Sequence, residues 1–331
     1  QAQRALLRDA LAAAAALSDR NARPGVLAEA ERLVTEAHAE TVAAFLTEHG
    51  LAAADIGVIG FHGQTVLHRP AQRLTVQIGD GRALAARLAI PVAYDFRAAD
   101  VAAGGEGAPL VAIFHQALAT MIDRPSPLVV VNIGGIANVT CLADGAPPLA
   151  CDTGPGNALI DDFLHAHGGP PFDAGGMIAA QGQVNEAFVA RVLAQPFFAA
   201  RPPKSLDRND FALASIALPE LTLADGAATL AALTARAIAG IIPHLPRTPA
   251  CWIVAGGGAR NRTILRMLAD AVAPAQVETA DAIGWSADAL EAQAFAYLAV
   301  RTLRGLPITF PTTTGVARPM TGGIVARPDK R

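Results

Sequence analysis

The stretch LVVVNIGGIANVTCLADGAPPLACDTGPGN, Leu128 to Asn157, decides the fold. Val129, Val130 and Val131 form a β-branched run that reads as a buried strand. Gly134-Gly135 closes it in a turn; a second strand, a short connection and a third strand ending on Asp152 follow. Thr153-Gly154-Pro155-Gly156-Asn157 then leads into a helix beginning near Ala158. Glycine turns at the ends of apolar strands let backbone amides approach a phosphate, and a carboxylate there can reach a ligand.

Two such turns look nucleotide-directed. Asn132 to Asn138, between two strands, is expected to be a hairpin tip presenting amides. Val254 to Asn261, VAGGGARN, lies between a strand and a helix, where amides and the helix dipole favour a phosphate or an adenosine held against the backbone. Neither matches GxGxxG or GxxxxGK[ST], which disfavours a Rossmann dehydrogenase and a P-loop enzyme. A triple glycine after a strand also serves simple tight packing. Asp152, beside Gly154 and Gly156, is the best candidate general base toward a hydroxyl or a water. An N-cap or Asx-turn role fits the same residue.

Upstream, Ala2 to Ser18 and Val26 to Glu48 read as helices split by Asn21-Ala22-Arg23-Pro24-Gly25. In the second, Leu27, Ala30, Val34, Ala37, Ala44 and Phe45 approximate one stripe at helical spacing. Short apolar runs at Asp55 to Phe61, Leu74 to Ile78 and Ile90 to Tyr94 read as strands alternating with helices, an α/β pattern whose ligands bind outside the strand ends. His62, Gln64, Asp95, Arg97 and Asp100 gather at those ends, more polar side chains than strand termini need. The loop AAGGEGAPL, Ala102 to Leu110, reads as flexible or substrate-covering and lacks the lysine of a phosphate loop. Downstream, helices are expected over Val111 to Met121, Asn185 to Leu193, Ala227 to Leu245 and Ser286 to Leu303, the last holding Asp288 and Glu291. Pro202 to Phe211 reads as a polar loop.

With 331 residues, 52% hydrophobic and 17% charged, the chain can bury a large core, and with 5% aromatics that core is mainly aliphatic. A formal net charge of -3 offers no footprint for nucleic acid or anionic lipid. No apolar run reads as a membrane span. Cys141, Cys151 and Cys251 show no metal spacing and sit in apolar contexts, so reduced core thiols and a cytoplasmic location are expected.

FHGQTVLHRP from Phe61, DFRAADVAAGGEGAPL from Asp95, NIGGIANVT from Asn132, CDTGPGN from Cys151, PPKS from Pro202, VAGGGARNR from Val254 and EAQAFAYLA from Glu291 follow one another in order. Together they resemble the anhydro-N-acetylmuramic acid kinase family of bacterial cell-wall recycling. That resemblance implies two ribonuclease-H-like domains flanking a nucleotide cleft, the actin-like ATPase fold of sugar kinases. It implies a first domain of residues 1–125 plus 307–331 and a second of 126–306. The implied reaction phosphorylates 1,6-anhydro-N-acetylmuramic acid with ATP and Mg²⁺ while water opens the anhydro bridge, giving N-acetylmuramic acid 6-phosphate. Asp152 matches the family's general base, with Glu291 as a second carboxylate. Asn132, Gly134 and Gly135 match a phosphate-binding turn and Gly256, Gly257 and Gly258 the adenosine motif. His62, Gln64, Asp95, Arg97, Gly154 and Asn157 fall to the sugar side, and no direct protein ligand to Mg²⁺ is assigned. The expected partners are the amino sugar and ATP, with no nucleic acid and no membrane, and a homodimer is among the expected assemblies.

Departures accompany the resemblance. The family opens with a strand-turn-strand carrying Gly-Thr-Ser-x-Asp-Gly, whereas residue 1 here is Gln and the helical region follows at once. A chain shortened at its N-terminus, its first domain lacking strands and its turnover weak, is therefore expected. Glu106 stands where Gln is usual, and Leu206-Asp207-Arg208 where Thr-Gly-Arg is common. A silent binding protein of the same fold, or a sugar-independent ATPase, fits the same motifs.

Overall fold

The computed structural model describes residues 2–206, 211, 213–287 and 289–328. Asp207, Arg208 and Asp288, singled out above, lie outside the described residues. Ten strands occur among them, in chain order β1 (Ile59–Phe61), β2 (Gln64–Arg69), β3 (Leu74–Ile78), β4 (Val92–Tyr94) and β5 (Leu128–Ile133). They continue as β6 (Ile136–Leu142), β7 (Leu149–Pro155), β8 (Cys251–Ala255), β9 (Gln276–Thr279) and β10 (Ile324–Ala326). With the helices between them these make an α/β protein whose contacts separate into two compact units, residues 1–114 with 291–331, and residues 115–290.

In the first unit β1 pairs parallel with β4, and β10 joins β4 antiparallel. Leu27, Ala30 and Val34 of the helix Val26–Glu48 are buried in a cluster with Phe61, Ile78, Leu84 and Val92. The stripe expected on that helix is therefore real over its first turns. Ala37, Ala44 and Phe45 depart from it: they are exposed, and Phe45 stacks on the His49 ring instead, with centroids 4.4 Å apart. The segment from Gln64 is a strand, not a strand-end loop: β2 pairs antiparallel with β3 as a two-stranded sheet of its own. The loop before Leu110 is tethered rather than loose. Asp100, 1% exposed, accepts from Gly107 N at 2.7 Å and from the Thr314 hydroxyl at 2.7 Å.

The second unit is built on a five-stranded mixed sheet in the order β7-β6-β5-β8-β9. β5, β6 and β7 form an antiparallel meander, while β8 and β9 run parallel beside β5. The β-branched run of β5 is at the centre: Val129, Val130, Val131 and Ile133 have no exposed surface. Each such side chain contributes about 1.5–3 kcal/mol on burial. The third strand does not end on Asp152. Gly154 pairs with Ala137 and Pro155 with Ile136, so β7 runs on past an irregularity beside Asn138 and stops at Pro155.

One face of the sheet is covered by the helix Leu223–Ala239, buried nearly throughout and packed on the helices Asn157–Ala166, Glu186–Leu193 and Arg262–Val272. It starts four residues earlier than its sequence pattern indicates, because the Thr222 hydroxyl caps it by accepting from Asp225 N at 3.1 Å. With its continuation to His244 it is 22 residues long and apolar enough to cross a membrane by length and composition, contrary to the reading of the sequence. It is mostly buried inside the protein, and its small residues, Ala and Gly, are those of a core helix in close contact.

His115 carries a pH dependence into this core. It is 4% exposed, its Nδ1 lies 2.9 Å from the Thr140 hydroxyl, and burial lowers its pKa from 6.5 to about 4. An unfolded chain binds this proton below about pH 6.5, whereas the folded one resists it until about pH 4. Stability is therefore full above pH 6.5 and falls as the pH drops toward 4. Urea denaturation at pH 7 and pH 4.5 should show a loss smaller in H115N than in the native protein by on the order of 2–3 kcal/mol. An unchanged pH difference in H115N would place the acid lability elsewhere.

Candidate active site

The second unit brings its nominated residues into one neighbourhood. The tip between β5 and β6 is closed by Gly134 N donating to Ile136 O at 3.2 Å. The start of the helix Asn157–Ala166 is tied to that tip: Gly156 N donates to Gly135 O at 2.9 Å and Asn157 N to Gly134 O at 2.8 Å. The Asn157 side chain adds a third bond, to Ile133 O at 3.1 Å. The parallel register sets Asn132 beside Ala255, so the Gly256–Gly258 turn follows directly alongside the hairpin tip.

Its glycines are required for different reasons. Gly256 has φ +76, and a Cβ there would press on the Asn132 side chain and stand 2.8 Å from Ile133 O. Gly258 is buried against the Ile133 side chain, where a Cβ would collide. Gly257 is exposed, and a Cβ on it would meet only Asn157 Nδ2, at 3.3 Å. Next to this turn is a cavity of about 260 Å³ lined by Asn157, Asp161, Phe172, Asp173, Gly257, Arg260 and Asn261, among others. Asn261 caps the helix Arg262–Val272 by accepting from Thr263 N and Ile264 N at 3.1 and 3.0 Å. Asp173, 7% exposed, is held by Ile178 N at 2.8 Å and Ala179 N at 3.1 Å. The sequence reading named Arg260 and Asn261 only as parts of a motif and did not nominate Asp161, Phe172 or Asp173. The FDAGG run at Phe172 was the available signal.

Asp152 is 8% exposed on β7, opposite Asn138 of β6. Its Oδ2 accepts from Leu206 N at 2.8 Å, and its own N–H donates to Lys204 O at 3.0 Å. Asn138 Oδ1, at the paired position, is buried with no hydrogen-bond partner. A carboxylate and an orphaned acceptor side by side suit a ligand with two protons to donate. Gly154, two residues on, packs against Ala237 and Phe198 at the 3.0 Å limit a Cβ would allow.

In the first unit His62 and Arg97 are in direct contact. Arg97 Nε and Nη2 point at His62 Nε2 at 3.3 and 3.0 Å, and Nη1 donates to Gly107 O at 2.7 Å. A guanidinium can only donate, so Nε2 accepts and Nδ1 carries the proton toward Gly63 O, 2.9 Å away. Burial first and the Arg97 charge second lower the His62 pKa to about 4, so the ring is neutral near pH 7. Asp95, at φ +57, is ion-paired with Arg20. His62 and Asp95 share a cavity of about 240 Å³ with Arg20, Arg23, Gln77 and Arg82, three cations that the sequence pattern did not single out. Gln64 is not part of that lining: it is exposed at the start of β2 and donates to its neighbour's carbonyl, Thr65 O, at 3.1 Å. Glu291 is exposed in the first turn of the helix Leu290–Leu303.

The two glycine contacts lead to a paired prediction. Gly256→Ala should destabilise the protein by about 2–4 kcal/mol, combining left-handed strain with a steric clash. Gly257→Ala should stay within about 0.5–1 kcal/mol of the native protein. Urea titration of both variants checks this, and equal losses would mean that the turn is not wedged against β5.

A sequence profile of anhydro-N-acetylmuramic acid kinases matches residues 5–327. An anhydro-N-acetylmuramic acid kinase of Rhodopseudomonas palustris strain BisB18 is 64% identical over 99% of this chain and 89% of its own length. The corresponding kinases of Rhodopseudomonas palustris strain HaA2 and of Nitrobacter winogradskyi are 60% and 61% identical, covering 89% and 88% of those proteins. Among solved structures, a ROK family glucokinase from Streptomyces griseus in complex with glucose and AMPPNP is similar at TM-score 0.38 and 14% identity, over 81% of this chain and 89% of that one. That likeness is too distant to argue from, but the sequence identities are not: the chain belongs to the anhydro-N-acetylmuramic acid kinase family.

Proposed function

We propose that the protein uses ATP and water to convert 1,6-anhydro-N-acetylmuramic acid into N-acetylmuramic acid 6-phosphate, a step in peptidoglycan recycling. Family membership over residues 5–327 carries the substrate and the reaction class. The observation that carries the chemistry is Asp152, a nearly buried carboxylate on β7 in the same unit as both glycine turns.

In this reading Asp152 takes a proton from a water as its oxygen attacks the anomeric carbon. The C1–O6 bond of the anhydro bridge breaks, and O6 attacks the γ-phosphorus of ATP. The new O6–P bond forms as the bond to the ADP oxygen breaks. Asn138 Oδ1, orphaned opposite Asp152, gives the attacking water a second acceptor. Asn132, Gly134 and Gly135 serve the phosphates; Gly256, Gly257 and Gly258, with the cavity that includes Arg260 and Phe172, serve the adenosine. Mg²⁺ arrives with ATP and neutralises charge on the phosphates during transfer. Backbone amides and an asparagine fit a nucleotide whose ion keeps water ligands. In the first unit, His62, Asp95 and Arg97 are assigned to the sugar, and Glu291 is a second candidate carboxylate. Three buried thiols, their pKa values raised by burial to about 11 or 12, suit a reducing cytoplasm.

A coupled assay for ADP release with anhydro-sugar and Mg-ATP tests the reading, with the sugar product identified by mass. Asp152→Ala should lower kcat about 10²- to 10⁴-fold while ADP still raises the thermal midpoint. A variant keeping more than a tenth of native turnover would remove Asp152 from the role of base. ADP release independent of the sugar would overturn the substrate assignment.

A further inference from the structure

Asp152 does not hold its own orientation. Its Oδ2 is bonded to Leu206 N at 2.8 Å and its N–H to Lys204 O at 3.0 Å, so residues 204–206 grip it through both side chain and backbone. The Lys204 side chain anchors that segment to the neighbouring helix. Its Nζ turns inward, donating to Phe197 O at 2.8 Å and approaching Phe198 O at 3.4 Å at the end of the short helix Pro196–Ala199. It also lies 4.5 Å from the centre of the Phe197 ring, a cation–π contact. Phe197, Phe198 and Phe211 pack edge to face at 5.3–5.9 Å between centroids, and the Phe198 ring backs onto Gly154, two residues beyond Asp152. Carbonyls, ring and carboxylate thus form one connected unit with Lys204 at its centre.

We propose that Lys204 is the positioning residue for the Asp152 carboxylate, joining the aromatic cluster at Phe197 to the segment whose amide aims that carboxylate. This rests on Asp152 being the catalytic base. The residue type supports it: of 26 basic residues only Lys204 and Lys330 are lysines, the rest being arginines. In a chain that otherwise uses arginine, a lysine stands where a compact ammonium must reach two carbonyls and a ring face from a confined place. Burial lowers the pKa of this ammonium, while the nearby Cys151 and Asp152 act in the opposite direction. The ammonium is directed to the Phe197 and Phe198 carbonyls rather than to the carboxylate, and its effect on the reaction passes through the geometry of residues 204–206.

The experiment is a double-mutant cycle on the protein, read as kcat and KM in the coupled ADP-release assay. Lys204→Met should lower kcat about 10- to 100-fold, the loss expected from misplacing a reacting group by about 1 Å, while KM for sugar and ATP stays within about threefold. In an Asp152→Ala background the same substitution should cost less than about twofold, because nothing remains to be positioned. Native kcat in Lys204→Met overturns the proposal, as does a full repeated loss in the Asp152→Ala background, which would make Lys204 a general structural support. If Lys204→Met does not fold, Lys204→Gln, which keeps a donor, is read by the same two criteria. Failure of the base assignment is separate: it appears as retained turnover in Asp152→Ala alone.

Discussion

Two amide-to-carbonyl hydrogen bonds, from Gly156 to Gly135 and from Asn157 to Gly134, set the geometry on which the second unit's site depends. They fasten the start of a helix to the tip of the β5–β6 hairpin. With both carbonyls of the tip occupied, an exposed turn that would otherwise repel an anion presents little negative charge to a phosphate. Asn157 reinforces the arrangement by reaching Ile133 O, so one side chain closes the end of β5 and the start of the helix together.

The second glycine turn depends on the same strand. Because β8 lies parallel to β5 with Ala255 beside Asn132, the chain leaving β8 must pass within contact distance of Ile133. Only residues without a side chain fit at Gly256 and Gly258. The helix Arg262–Val272 then starts under the Asn261 cap, which takes up the Thr263 and Ile264 amides beside the cavity that Asn261 and Gly257 line. Strand register, glycine placement and capping are thus one constraint expressed three times. A change at any of them shifts the cavity of about 260 Å³ as well as the ends of β5 and β8.

How legible this was depended on how local each determinant is. The β5–β6 hairpin announces itself through three consecutive valines and a Gly-Gly turn, and the Gly256–Gly258 turn through an apolar run of which every residue is buried. β2 was missed because Gln64, Thr65, His68 and Arg69 carry no apolar run: the strand belongs to a two-stranded sheet and is buried chiefly at Val66. The end of β7 was misplaced because Gly154 and Pro155 signal a turn locally, while pairing with β6 keeps them extended. Arg20 and Asp173 escaped notice for a different reason. Arg20 meets Asp95 across 75 residues, and Asp173 acts through bonds to backbone amides, which leave no trace in residue type.

The electrostatics of the site follow from which groups are left able to titrate. His62 is kept neutral by burial and by Arg97 down to about pH 4, and His115 by burial alone to about the same point. The three thiols stay protonated up to about pH 11 or beyond. None of these strongly shifted groups changes charge between about pH 5 and 10, so His62 stays an uncharged acceptor for Arg97 across that range. The Arg97 guanidinium lies beside a ring nitrogen that can only accept from it. Protonation of His62 therefore brings no charge change near neutrality. The Asp152 carboxylate, gripped by residues 204–206, is where the packing of the second unit bears on the proposed reaction.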